Sequence, residues 1–117
     1  VKQVFKMMQF DGGHHVCGIY PTSPLMRMDD IQRGGRQLGE SPKAHYAMSV
    51  GTDPLRDAAQ FYWGTMDAYL ERKPLLTAHT IMIPISEKNI CDINTEDDWQ
   101  RAEKMYDDLN PAEGNAA

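Results

Sequence analysis

Residues 90–106, I-C-D-I-N-T-E-D-D-W-Q-R-A-E-K-M-Y, constrain the fold more than any other stretch, because an extended segment there passes directly into a well-marked helix. Ile90, Asp92 and Asn94 alternate with Cys91 and Ile93, which predicts a short strand with Asp92 and Asn94 on one face. Thr95 is a good N-cap, Glu96, Asp97 and Asp98 complement the positive end of the helix dipole, and Asp98 completes a capping box. Trp99, Ala102, Tyr106 and Leu109 recur at helical spacing. Burial of Trp99, Tyr106 and Leu109 is expected to contribute roughly 1.5–3 kcal/mol each. Asn110-Pro111 ends the helix.

The other elements are expected in alternation. Residues 15–20 are a short apolar run suited to a buried strand, and Pro21-Thr22-Ser23-Pro24 turns the chain at its C-terminal edge, where ligands of open α/β sheets bind. A moderate helix follows over residues 29–38, weakened by Gly34 and Gly35. Residues 44–50 alternate as a strand, Gly51-Thr52-Asp53-Pro54 is a turn, and an aromatic-rich strand begins at residues 57–63. Residues 65–72 make a short helix, and 77–85 an extended run. Val1, Val4, Phe5 and Met8 form an uncapped apolar helical stripe, which suggests that Val1 is not a natural domain start, and Asp11-Gly12-Gly13 reads as a turn.

The chain has 117 residues, room for one domain, and 17 acidic against 12 Lys and Arg side chains give it a net charge of −5. That balance argues against a nucleic-acid or anionic-membrane binder, and an anionic substrate needs a metal or local basic groups. Cys17 and Cys91 are far apart, inside apolar runs and without zinc-site spacing, so they are read as buried free thiols. His14, His15, His45 and His79 show no ligand spacing, and at least three are expected at the surface or at strand ends. No run approaches the ~18 apolar residues of a membrane span, and no leader is visible, so a cytoplasmic location is expected.

Three segments carry a family resemblance. D-I-N-T-E-D-D-W (92–99) is similar to the D-I-D-T-x-x-D-W/L signature of the acylneuraminate cytidylyltransferases. I-Y-P-T-S-P-L (19–25) and D-A-A-Q-F-Y-W-G (57–64) agree in order, and the second resembles the branch that activates pseudaminic acid. The resemblance covers most of residues 13–109, the later half of the family's chain. Together with the alternating strand and helix signals it implies a reduced three-layer α/β/α domain of the nucleotide-diphospho-sugar-transferase type, with a mixed, largely parallel sheet, over residues 1–111; residues 112–117 have nothing to bury and are expected to be a mobile tail.

The implied activity is transfer of CMP from CTP to a nonulosonic acid, a nine-carbon acidic sugar of pseudaminic or sialic type, with release of pyrophosphate. The implied cofactor is Mg2+, held by Asp92 and by Asn94, which stands where the family has a second Asp. Tyr20, Thr22 and Ser23 match the turn facing nucleotide and sugar, and Gln60, Phe61 and Tyr62 a strand bordering the sugar pocket. Core packing is the competing reading for Phe61, Tyr62 and Trp63, and is preferred for Trp63. Asp92 and Asn94 could instead steady the strand-to-helix junction.

Arg33-Gly34-Gly35-Arg36 looks like the family's R-G-G-S-K-like phosphate loop. That loop follows the family's first strand, whereas here R-G-G lies downstream of P-T-S-P, so it is not assigned as a phosphate cradle. With no counterpart to the CTP-binding half, this chain alone is expected to be incomplete as an enzyme, pairing with itself or with a complementing N-terminal half. The alternative is a non-catalytic binding module that keeps the sugar side of the pocket.

Overall fold

The computed structural model describes residues 14–111. The expected stripe at Val1–Met8, the turn at Asp11–Gly13 and the tail at 112–117 lie outside them. The elements run β1 (His15–Ile19), α1 (Met28–Gly39), β2 (Tyr46–Thr52), β3 (Leu55–Thr65), α2 (Met66–Leu70), β4 (Thr80–Pro84), a 3-10 turn (Glu87–Asn89) and α3 (Glu96–Leu109). The chain is thus α/β, and no helix among the described residues is long and apolar enough to cross a membrane.

The sheet order is β1-β3-β2-β4. β3 pairs antiparallel with both β1 and β2, and β2 pairs parallel with β4. The sheet is mixed but mainly antiparallel, which corrects the largely parallel expectation. The reason is the short 52–55 connection: it turns β2 straight back into β3 as a hairpin, and a parallel return needs a crossover of a dozen residues or more.

α1 packs against β2, β3 and β4, and the core beneath it is Leu38, Ala47, Ala58, Phe61, Ile83 and Ile85. Gly34 permits this approach. A Cβ there would lie 2.8 Å from Cε1 of the fully buried Phe61 and 2.9 Å from Cδ1 of Trp63. The R-G-G-R stretch is therefore helix, seated on a half-buried Trp63 whose Nε1–H donates to the Ile31 carbonyl at 2.7 Å. Toward α2, Tyr46 and Tyr69 meet edge to face, and Gly64 leaves them room: a Cβ would stand 2.5 Å from Tyr69 Cε2.

α3 starts as expected. Asp98 N–H donates to Thr95 Oγ1 at 3.2 Å and Thr95 N–H to Asp98 Oδ2 at 3.1 Å, which satisfies two orphan donors reciprocally. Residues 90–94 form no strand, because no strand among the described residues pairs with them. The apolar stripe is only partly covered. Ala102 is buried with Leu25 and Cys91, whereas Trp99, Tyr106 and Leu109 are 52%, 48% and 37% exposed, which corrects the expected burial.

Candidate functional site

The site is built on an irregularity in β3. The β2–β3 register shifts between Met48 and Val50, and Ala59 takes a φ of 56°, a left-handed conformation that costs a non-glycine residue roughly 1–2 kcal/mol. Internal partners hold it there. Buried Ser49 accepts at Oγ from the N–H groups of Gln60 (3.2 Å) and Phe61 (3.0 Å), Asp57 Oδ1 accepts from Ala59 N–H (2.8 Å), and Ser23 donates to the Ala59 carbonyl (2.5 Å).

The P-T-S-P bend lies between this bulge and the residues that precede α3. On one side Tyr20 N–H donates to the Gln60 carbonyl at 2.9 Å; on the other, Ile93 N–H donates to the Thr22 carbonyl at 2.8 Å. Side chains continue the link, since Thr22 Oγ1 donates to Asp92 Oδ1 at 2.6 Å and Asn94 Nδ2 to Asp92 Oδ2 at 3.0 Å. Three segments distant in sequence, 19–25, 57–64 and 92–99, thus meet at one place.

Two hollows open around Asp57. One, of about 420 Å³, is lined by Tyr20, Tyr46, Asp57, Tyr62 and Tyr69. The rings of Tyr20 and Tyr62 stand 5.1 Å apart at 52°, and the Tyr62 hydroxyl donates to Asp57 Oδ2 at 2.5 Å. Burial, reinforced by the Asp57 carboxylate, raises the Tyr62 pKa, and burial pushes Tyr69 up to about 12. Both phenols remain protonated donors at neutral pH. Aromatic faces with hydroxyl tips suit a ring that carries both C–H and O–H groups.

The second hollow, of about 380 Å³, is polar and includes Arg56, Asp57, Ala59, Asp92 and Arg101 in its wall. Arg56 makes two bonds to Glu87, 3.0 and 2.6 Å, and this pairing pulls the Glu87 carboxyl down to about 2. Arg101 reaches Asp98 Oδ1 at 3.1 Å, and Asp98 is itself held below the usual carboxylate range, chiefly by the Asn94 N–H. Beyond the bend, Pro21, Leu25, Ile93, Trp99 and Tyr106 help line an apolar groove of about 610 Å³.

The expected site residues divide by exposure. Tyr20 and Thr22 are exposed, Tyr62 and Asp92 are half-buried, and Asn94 is exposed, all near the junction. Ser23, Gln60 and Phe61 are inside, at 1% exposure or less. Ser23 secures the bulge, Phe61 packs under α1, and Gln60 Nε2 donates to the Asn89 carbonyl at 2.7 Å while its buried Oε1 has no partner among the described residues. These three shape the wall rather than present a surface. Sequence reasoning missed Asp57, Tyr46, Tyr69 and Arg101. Asp57 was readable, since it opens the D-A-A-Q-F-Y-W-G segment, but nothing local marks Arg101 as facing a hollow.

Asp92 is suited to a hard divalent cation as a single carboxylate, since each oxygen accepts one hydrogen bond and keeps further lone-pair capacity. Asn94 is turned the other way. It gives its NH2 to Asp92, so its carbonyl oxygen does not converge with the carboxylate. Among the described residues no group of three or more His, Cys, Asp or Glu could hold a metal ion. Cys17 and Cys91 are free, and burial pushes the Cys17 thiol up to about 11. His14, His15 and His79 are exposed, and His45 is half-buried with its ring 4.6 Å from that of His79.

The fold and site define an α/β domain in which the P-T-S-P bend, the β3 bulge and the start of α3 bring tyrosine, carboxylate and arginine groups together. The chain is similar to the pseudaminic acid cytidylyltransferase of Campylobacter jejuni, 26% identical over 124 aligned positions that cover 79% of this chain and 53% of that protein. It is thus distantly related to a cytidylyltransferase and spans about half the length of that relative. No protein-family model matches.

Proposed function

We propose that the chain contributes the sugar-acid side of a cytidylyltransferase site, in which CMP passes from CTP to a nonulosonic acid, of which pseudaminic acid is the first candidate, and pyrophosphate leaves. The observation that carries this reading is the Thr22–Asp92 hydrogen bond of 2.6 Å, which joins the P-T-S-P bend to the segment before α3, beside the tyrosine-lined hollow. The relation to the Campylobacter enzyme supplies the reaction class.

In this reading Tyr20 and Tyr62 flank the sugar ring, and the Asp57 carboxylate takes the single Tyr62 hydroxyl proton, which leaves the phenol oxygen to accept from a sugar hydroxyl. Thr22 and Asn94 orient Asp92, so its carboxylate does not have to reorganise when a ligand arrives. Asp92 would hold Mg2+. When bound, the ion would neutralise charge on the phosphate oxygens of the nucleotide.

The test is pyrophosphate release from CTP in the presence of Mg2+ and pseudaminic acid. It is measured for this chain alone and for the chain supplied with the part of the Campylobacter relative that it does not cover. Release that needs both CTP and the sugar acid, in either format, supports the reading. Silence in both contradicts it.

A further inference from the structure

We propose that Asp57 sets the hydrogen-bond polarity of the tyrosine-lined hollow, which thereby selects an arm of the sugar acid that carries a hydroxyl or an amide N–H and turns the sugar carboxylate away. The proposal deepens the sugar-acid reading above and rests on it for the choice of probes. Asp57 acts in part through Tyr62, as a positioning residue.

A phenol has one proton to give, and in this hollow most of those protons are spent on the protein. Buried Tyr46 shares its proton between the Lys73 carbonyl at 2.7 Å and the Ala68 carbonyl at 3.2 Å. Tyr69 gives its proton to the Tyr62 carbonyl at 2.8 Å, and Tyr62 gives its own to Asp57 Oδ2 at 2.5 Å. Of the four phenols that line the hollow, only exposed Tyr20 keeps a hydroxyl proton that no carbonyl or carboxylate among the described residues takes. What Asp57 and Tyr62 present to a ligand is therefore lone pairs.

Charge points the same way. Among the described residues Asp57 is the only charged side chain in the lining, so the hollow is negative, and a second carboxylate beside it would be disfavoured by like-charge repulsion. Nor does Asp57 turn aside. Its Oδ1 accepts from the Ala59 N–H at 2.8 Å, and Ala59 is held in the left-handed conformation of the β3 bulge, so the carboxylate is pinned between main chain and phenol. An entering hydroxyl or amide N–H finds acceptors already in place, whereas an oxygen without a proton meets lone pairs with lone pairs.

Asp57→Asn inverts this arrangement with little change of shape. The amide keeps an oxygen for the Ala59 N–H but offers NH2 to Tyr62, which reverses the phenol and aims its proton into the cavity. Tyr62→Phe is the companion variant, since it removes the phenol oxygen and leaves the Asp57–Ala59 bond alone.

Calorimetric titration of the full chain with pseudaminic acid, its methyl ester and analogues that each lose one donor tests this, a hydroxyl being replaced by fluorine or an amide N–H by an ester oxygen. The wild type is expected to bind one such analogue about tenfold or more weakly than pseudaminic acid, and both variants to lose most of that discrimination. The ratio of acid to methyl ester affinity is expected to stay the same in Asp57→Asn. Discrimination unchanged in both variants, or a uniform weakening of every ligand as a merely structural role would give, overturns the proposal. So does a tenfold gain by the acid alone in Asp57→Asn, which would set the sugar carboxylate against Asp57. No binding of any probe by the wild type overturns the sugar-acid reading with it. Pyrophosphate release with unchanged discrimination would leave the transferase reading standing without this role for Asp57, and Asp57-dependent discrimination without release would leave the role without the transferase.

Discussion

Thr22 and Asp92, separated by 70 positions in the chain, are joined by a 2.6 Å hydrogen bond from the threonine hydroxyl to the carboxylate. A bond between exposed side chains contributes only about 0.5–1.5 kcal/mol to stability, yet this one sets where the carboxylate points. Thr22→Val keeps the shape and removes the donor. Its urea midpoint should move little, by the equivalent of about 1 kcal/mol, while affinity for the sugar acid should fall by a larger factor. Equal losses in the two measurements would make the bond merely structural.

Gly34 gives a prediction in which two effects compete. Alanine is the better helix former by about 1 kcal/mol. Its methyl would meet Phe61 at 2.8 Å, however, and Phe61 is fully buried with nowhere to move. Overpacking of this kind costs about 1–3 kcal/mol, so Gly34→Ala should be destabilising overall in denaturant titration.

The Arg56–Glu87 pair predicts an acid-side effect. Hydrogen bonds from Arg56 lower the Glu87 pKa in the fold from 4.5 to about 2. A lowered carboxylate pKa means that the pair's contribution is complete above the unfolded value and is lost as pH falls from about 4.5 toward 2. Denaturation midpoints recorded across that range should fall more steeply for the wild type than for Glu87→Gln.

Trp99 separates spacing from burial. A core tryptophan truncated to alanine costs about 3–5 kcal/mol. Trp99 is 52% exposed on the wall of the apolar groove, with Nε1–H donating to Glu103 at 2.7 Å. Trp99→Ala should therefore cost about 1 kcal/mol, read from the urea midpoint. A loss of the core size would mean that the groove is covered in solution.

What was legible in the sequence was local. Thr95 and Asp98 declared the start of α3 because a capping box is written in adjacent residues, and β1, β2 and β3 followed from their apolar runs. Strand direction was not legible, since alternation at residues 46–52 says nothing of which neighbour pairs there; the short Thr52–Leu55 connection was the better guide. Residues 90–94 had strand-like alternation and no pairing strand among the described residues. The spacing of Trp99, Tyr106 and Leu109 correctly gave one face of a helix, but spacing does not say what covers that face. At the site, Tyr20, Thr22 and Asp92 came from motifs. Arg101 is brought there only by the packing of α3 beside the bulge, which no local pattern encodes.

The central claim is that residues 19–25, 57–64 and 92–99 form one ligand site, and amide chemical-shift mapping of the isotope-labelled chain titrated with pseudaminic acid tests it most directly. Concerted, saturable shifts at Tyr20, Thr22, Asp57, Tyr62 and Asp92, with a common Kd, are the predicted result. Shifts restricted to one of the three segments, or none at any of them, would contradict it.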